Sequence, residues 1–165
     1  MSTRQVTLSV VNRRAFLISA GAAAAVLPAV GVEAQEVLIS EAIERTKQFQ
    51  EAYAALVAGS TPLEGKITLE LPEIAENGNF VPLTVMVDSP MTPEDHVKVI
   101  HLLATSNPVA RVASFHLSPV NGVARVQSRM RLAKTQDVIA IARFSNGLIA
   151  AATATVKVSI GGCAG

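Results

Sequence analysis

The sequence predicts an all-β protein, an antiparallel β-sandwich of about seven short strands preceded by one N-terminal helix. Three observations carry this. The spacing of apolar residues changes from three and four to two after residue 62. Runs rich in Val, Ile and Thr fill the rest of the chain, and these residue types suit a pleated, half-buried surface. Clusters of Gly, Pro, Asn and Ser separate the runs at fairly regular intervals, the punctuation of a sandwich, with a barrel as the main competing architecture.

The chain has 165 residues, enough for one domain with a proper core. Its N-terminal stretch "VNRRAFLISAGAAAAVLPAVGVEAQ" pairs Arg13 with Arg14, continues through Phe16 and Leu17 into an Ala-rich run, and reaches a small residue at Ala34. That order of basic region, apolar region and small-residue site is the order of an export signal, and the arginine pair followed by x-Phe-Leu resembles the twin-arginine type. Residues 1–34 are therefore expected to be a twin-arginine signal peptide, cleaved near Ala34. An uncleaved membrane helix is the alternative, but residues 16–32 are diluted by Ser19, Gly21, Pro28 and Gly31, whereas a span prefers roughly 20 strongly apolar residues.

Cleavage would remove Arg4, Arg13, Arg14 and Glu33, taking the formal net charge from +1 to about −1. No clustered excess of Lys and Arg remains to mark a nucleic-acid footprint. The expected mature protein is a soluble periplasmic domain over residues 35–160 with a C-terminal tail over 161–165, and no stable membrane anchor.

From Glu36 to Ala58 the pattern is helical: Ile39, Ile43, Phe49, Tyr53, Leu56 and Val57 recur three and four apart. Glu41 and Arg45 are spaced for an i,i+4 pair. "GSTP" ends the helix, with Gly59 available as its cap and Pro62 unable to continue it.

Alternation of two begins at "KITLEL". "PEIAENGN" follows as turn chemistry, with Asn77-Gly78 its strongest signal. "VPLTVMVD" alternates again, and "SPMTPED" interrupts with two prolines, where Thr92 to Asp95 could form a single helical turn. Further strands are expected in "HVKVIHLLA", "VARVASFHL", "VARVQSRMRLA", "DVIAIARF" and "LIAAATATVKVSI", separated by "SNP", "SPVNG" and "SNG".

The chemistry concentrates at the end, in "VSIGGCAG". Cys163 is the single cysteine. Outside the cytoplasm disulfides persist, so an odd cysteine implies an intermolecular bond or a thiol kept free for chemistry. Gly161 and Gly162 carry no bulk and are permissive at the backbone, so the tail reads as thin and mobile, able to extend Cys163 about 10 Å beyond Ile160. An unperturbed thiol near pKa 8.5 is only a few per cent ionised at about pH 7, and the nearest cation in sequence is Lys157. Cys163 thus suits a carrier that visits active sites elsewhere. A disulfide linking two copies and an inert frayed end are the competing readings.

Other residues carry weaker signals. His96, His101 and His116 match no metal-ligand spacing, so no metal and no cofactor is expected. Glu94 and Asp95 sit in a proline-punctuated loop. No nucleophile elbow, phosphate-binding loop or dinucleotide fingerprint is present, and no enzymatic activity is expected. In "VARVQSRMRLAK", Arg125, Gln127, Arg129 and Arg131 alternate against Ala124, Val126, Ser128, Met130 and Leu132. The arginines form either a solvated face or a docking stripe for a partner.

Together these residues resemble the SoxY family, the sulfur-carrying subunits of bacterial thiosulfate oxidation. The resemblance rests on "GGCAG", the twin-arginine signal, and the blocks "LPEIAENGNFVPLTVMVDSPMT", "NPVARVASFHLSP" and "ARVQSRMRLAKTQDVIAIA", and it spans nearly the whole mature chain. It implies an immunoglobulin-like sandwich that pairs with a SoxZ-like subunit in the periplasm. It also implies covalent attachment of the sulfur cargo at Cys163, with Gly161, Gly162, Ala164 and Gly165 forming a swinging arm. In such systems the haem enzyme SoxXA joins thiosulfate to the cysteine, the dimanganese hydrolase SoxB releases sulfate, and SoxCD, where present, oxidises the remaining sulfur. The haem and manganese belong to those partners. This chain departs from the usual GGCGG ending at Ala164, which loses backbone conformations open to glycine and leaves the cargo open. A structural or adaptor sandwich with a disulfide-forming tail remains the alternative.

Overall fold

Helix α1 (Lys47–Val57) begins where Thr46 can cap it. Thr46 has extended φ/ψ and its Oγ1 accepts the Phe49 amide at 3.2 Å, which satisfies one of the donors a helix start leaves unpaired. The computed structural model describes residues 43–162; the expected signal peptide and the first part of the expected helix, including Glu41, lie outside the described residues. Within them the helix is shorter than its apolar spacing suggests. Thr46 also donates its backbone N–H to Thr105 O at 2.9 Å, so the approach to the helix is tied to the sheet and Ile43 stays out of it. Arg45 lies 3.9 Å from Asp137. At the other end the left-handed cap falls on Ala58 (φ 49), whose N–H reaches Ala54 O, one residue before the expected Gly59.

Eight strands follow: β1 (Ile67–Glu70), β2 (Ile74–Asn77), β3 (Val81–Val87), β4 (Val97–Ala104), β5 (Arg111–His116), β6 (Ala124–Met130), β7 (Gln136–Phe144) and β8 (Ile149–Ile160). A 3-10 turn over Pro119–Asn121 precedes β6. The strands form two sheets, β1-β3-β6 and β2-β8-β7-β4-β5, the two-sheet immunoglobulin-like sandwich expected. Every pairing is antiparallel except β2 with β8. The strand beyond the expected seven is β2, which forms inside the segment read as pure turn chemistry. It is four residues long, runs parallel to the end of β8, and buries only Ala75. So short a strand has no alternation to read; the edge of β8 supplies its partner. Residues 92–95 close through the Thr92 amide on Asp95 O and form no helix.

The main core lies between the sheets. Val81, Leu83, Val85 and Val87 of β3 face Val97, Ile100, Leu102, Val138, Ala140, Ala142 and Val156 of the larger sheet. A second core lies on that sheet's other face, where Phe49, Leu56 and Val57 of α1 pack on Leu103, Ile139, Ile141 and Ile149. β7 is consequently buried on both faces. Ala140 and Ala142 point into the sandwich while Ile139 and Ile141 point to the helix, so its sequence reads as a near-continuous apolar run. The helix packs on β4, β7 and the start of β8. The other end of β8 leads into the tail.

Candidate functional site: the root of the cysteine tail

The C-terminal strand ends at Ile160 between two other segments of chain. Along one side runs the turn after β2, where the Gly78 amide donates to Ile160 O at 2.8 Å. Along the other runs the β6–β7 connection, residues 131–135. Leu132 ties all three together: its amide donates to Gly78 O at 2.8 Å and its carbonyl accepts the Gly162 amide at 2.8 Å. Gly162 is buried.

The glycines here serve close packing. A Cβ on Gly162 would lie 2.2 Å from Gly78 C and 2.3 Å from Asn79 N, and one on Gly161 would lie 2.1 Å from Ala133 O. One on Gly78 would meet Leu132 O at 2.3 Å. None of the three has positive φ; that conformation among the described glycines belongs to Gly59, Gly65, Gly122 and Gly147. The expectation for Gly161 and Gly162 was a thin, mobile arm. Both lie against neighbouring backbone, so close that a Cβ on either would overlap it. Cys163, Ala164 and Gly165 lie outside the described residues.

The β6–β7 connection is itself held from beneath by side chains that the sequence reading passed over. Asn107 Nδ2 donates to Arg131 O at 2.9 Å and its Oδ1 accepts the Ala133 amide at 3.0 Å. Gln136, fully buried, donates through Nε2 to Asn107 Oδ1 at 2.8 Å and to Lys134 O at 3.1 Å, and its Oε1 accepts the Ser106 amide. Thr135 Oγ1 accepts the Val158 amide at 3.0 Å. At the outer side Lys134 pairs with Glu44 and holds its carboxyl below the usual range. In the sequence "SNP" signals only a turn. Nothing in one dimension shows that Asn107 spans to residues 131 and 133, although a Gln opening a strand with an apolar middle is a polar group that burial obliges to find partners.

The arginine stripe divides. Arg125, Gln127 and Arg129 lie exposed on the outer face of the smaller sheet, opposite Met86, Thr84 and Pro82. Arg129 sets its guanidinium 5.3 Å over the ring of exposed Phe80, a cation–π contact. β6 ends at Met130, so Arg131 is not part of that strand face; it joins the connection that seats the tail. No ion pair engages these three arginines among the described residues.

The histidines are dispersed. His96 Nδ1 meets Thr92 O at 3.1 Å, His101 Nδ1 meets Ser114 Oγ at 2.7 Å, and His116 is exposed on β5. Burial, and then the neighbouring Arg111, Arg143 and His116, push the His101 pKa down. Among the described residues no three His, Cys, Asp or Glu side chains converge as a metal site would require.

Comparison with known proteins places this arrangement. Residues 53–163 match the family described as sulfur oxidation protein SoxY. The solved structure of the sulfur carrier protein SoxY from Chlorobium limicola f thiosulfatophilum is 35% identical, covers 68% of this chain and 97% of its own, and superposes with a TM-score of 0.55. A superoxide reductase (neelaredoxin) from Ignicoccus hospitalis is 18% identical, with 56% of this chain and 80% of its own covered and a TM-score of 0.51; that likeness is one of fold. No curated protein matches.

Proposed function

This chain belongs to the SoxY family of sulfur oxidation proteins and has a sulfur-carrier role, and from that premise we propose that it holds thiosulfate-derived groups covalently on Cys163 and presents them to partner enzymes. One observation carries the reading: the family match ends at residue 163, on the single cysteine of the chain.

The chemistry asked of Cys163 is limited. Its sulfur and the outer sulfur of thiosulfate join in an S–S bond as two electrons pass to an oxidising partner enzyme. Water then attacks the terminal sulfonate sulfur in a hydrolytic partner. The bond from that sulfur to the chain is cut, sulfate leaves with release of protons, and a persulfide remains on Cys163. Since an ordinary thiol is mostly protonated near neutral pH, the partner that performs the first step also favours the thiolate. The contribution of the carrier is geometric. It ends a rigid strand in a narrow segment free of side chains, so the cargo is the first bulky group a cleft encounters.

The same reading supplies the setting. A SoxZ-like subunit completes the carrier as a heterodimer, SoxXA and SoxB, with SoxCD where present, act on the cargo, and export by the twin-arginine route puts the protein in the periplasm. The exposed Arg125 and Arg129 beside Phe80 and Met86 offer a mixed cationic and apolar face for a partner. No described helix is long and apolar enough to cross a membrane.

Intact-mass and peptide analysis of protein from thiosulfate-oxidising cells tests the proposal. Thiosulfonate or persulfide additions on Cys163 are expected. A homodimeric disulfide as the sole modification, unchanged by thiosulfate, would replace the carrier with a disulfide-linked adaptor. Thiosulfate turnover by the isolated protein, retained in Cys163→Ser, would make it an enzyme.

A further inference from the structure

The geometry points to a latch on the carrier tail: Gly162 seats between Gly78 and Leu132, and Asn107 and Gln136 act as positioning residues that hold the seat. It rests on the carrier reading for its consequence, while the latch itself is read from the packing.

Three features make a seat rather than a chance contact. First, it is closed by complementary absences. Gly78 and Gly162 approach so closely that a Cβ on either would overlap the backbone of the other segment, at 2.8 Å from Gly162 N in one direction and 2.2 Å from Gly78 C in the other. Second, it is continuous with the sheets. The ladder of β2 on β8 runs on through the Gly78 amide to Ile160 O, then through Leu132 to Gly78 O and Gly162. Third, the far wall is braced. The carbonyls facing the tail belong to Leu132 and Ala133, and the groups flanking them, Arg131 O, the Ala133 amide and Lys134 O, are held by the buried side chains of Asn107 and Gln136.

The seat defines two lengths of tether. Closed, the chain is fixed through Gly162, and Cys163 stands one residue out, a Cα step of about 3.8 Å. Open, the tail pivots at Ile160 and three residues carry Cys163 out to about 10 Å. A single backbone hydrogen bond, from Gly162 to Leu132 O, closes the last step. The barrier to opening is therefore local, of the kind that fraying ends cross without global unfolding. A partner with a deep cleft engages the open form and one with a shallow cleft the closed form, so the latch sorts partners by depth.

The test follows the tail without any sulfur chemistry. In wild type, amide hydrogen exchange at Gly162 should be slower than that of a free peptide by at least about tenfold. A nitroxide attached to Cys163 should report a restricted tail. Gly162→Ala and Asn107→Ala should both free the label and remove Gly162 protection, with Ser159→Ala, an exposed β8 residue, behaving as wild type. Melting temperature separates the two variants: Gly162→Ala frees the tail with little loss of global stability, whereas a merely structural Asn107 would lower the melting temperature and leave the label unchanged below it. Should Asn107→Ala fail to fold, Gly162 exchange in wild type and the label in Gly162→Ala carry the test. An unprotected Gly162 amide in wild type, or a label as free there as in Gly162→Ala, overturns the latch and leaves the carrier role of Cys163 standing. Absence of any sulfur adduct on Cys163 overturns that role and leaves the latch.

Discussion

Gln136 donates its side-chain amide to Asn107 Oδ1 at 2.8 Å, and both residues are buried. The bond joins the loop after β4 to the start of β7, and the two amides between them hold the backbone of residues 131–134 that borders the tail. A buried polar cluster of this kind is stabilising only while complete.

Gln136→Leu keeps similar bulk but strands the Ser106 amide, Lys134 O and one lone pair of Asn107. Leaving such groups unpaired costs about 1–3 kcal/mol. Urea denaturation should show the midpoint falling with little change in slope, since the compactness of neither end state is altered.

The helix holds to the sheet chiefly through Phe49, 3% exposed against Leu103, Ile139 and Ile141. Phe49→Ala should lose about 3–5 kcal/mol. Because the helix-facing core is separate from the core between the sheets, hydrogen exchange should quicken across Lys47–Val57 well before it does in β3.

Stability should decline in mild acid through His101. Its folded pKa is pushed below the ordinary value near 6.5, first by burial and then by Arg111, Arg143 and His116. The unfolded chain therefore binds the proton more readily, and stability rises with pH wherever it does so. The contribution is complete above the unfolded pKa and is lost as pH falls below about 6.5 toward the folded value. Melting temperatures across that window should drop, and His101→Gln should flatten the drop. An unchanged slope in the variant would assign the loss to other groups.

Reversing the charge of Arg125 and Arg129 to Glu alters an exposed face, breaks no ion pair among the described residues and removes the Arg129–Phe80 cation–π contact. Stability should fall by no more than about 1 kcal/mol. Association with a SoxZ-like subunit, measured by calorimetry, should weaken by at least about tenfold if this is the docking face. Equal affinity would move the interface to another surface.

Cys163→Ser removes the proposed attachment atom at a position beyond the seated glycines. Folding should be unaffected and sulfur transfer abolished. Residual transfer near the wild-type rate would place the cargo elsewhere.

Much of this protein is legible along the chain because its determinants are local. Alternation in "VPLTVMV" and "ITLE" reports one buried and one open face, and a lone cysteine is visible by counting. The start of α1 was not legible, because Thr46 caps it while its backbone is drawn to Thr105, 59 positions away in sequence. β2 was hidden for a similar reason, since only the parallel edge of β8 makes four unremarkable residues a strand.

The amino-acid order by itself determined that a two-faced β scaffold forms and that two glycines and a cysteine follow its last strand, because side-chain period, turn residues and covalent position are properties of neighbours in sequence. Only the tertiary structure decided where those glycines sit. Gly162 meets Gly78 and Leu132 across long stretches of chain, and the exclusion of a Cβ by another segment's backbone is a fact of three-dimensional proximity that no local pattern encodes.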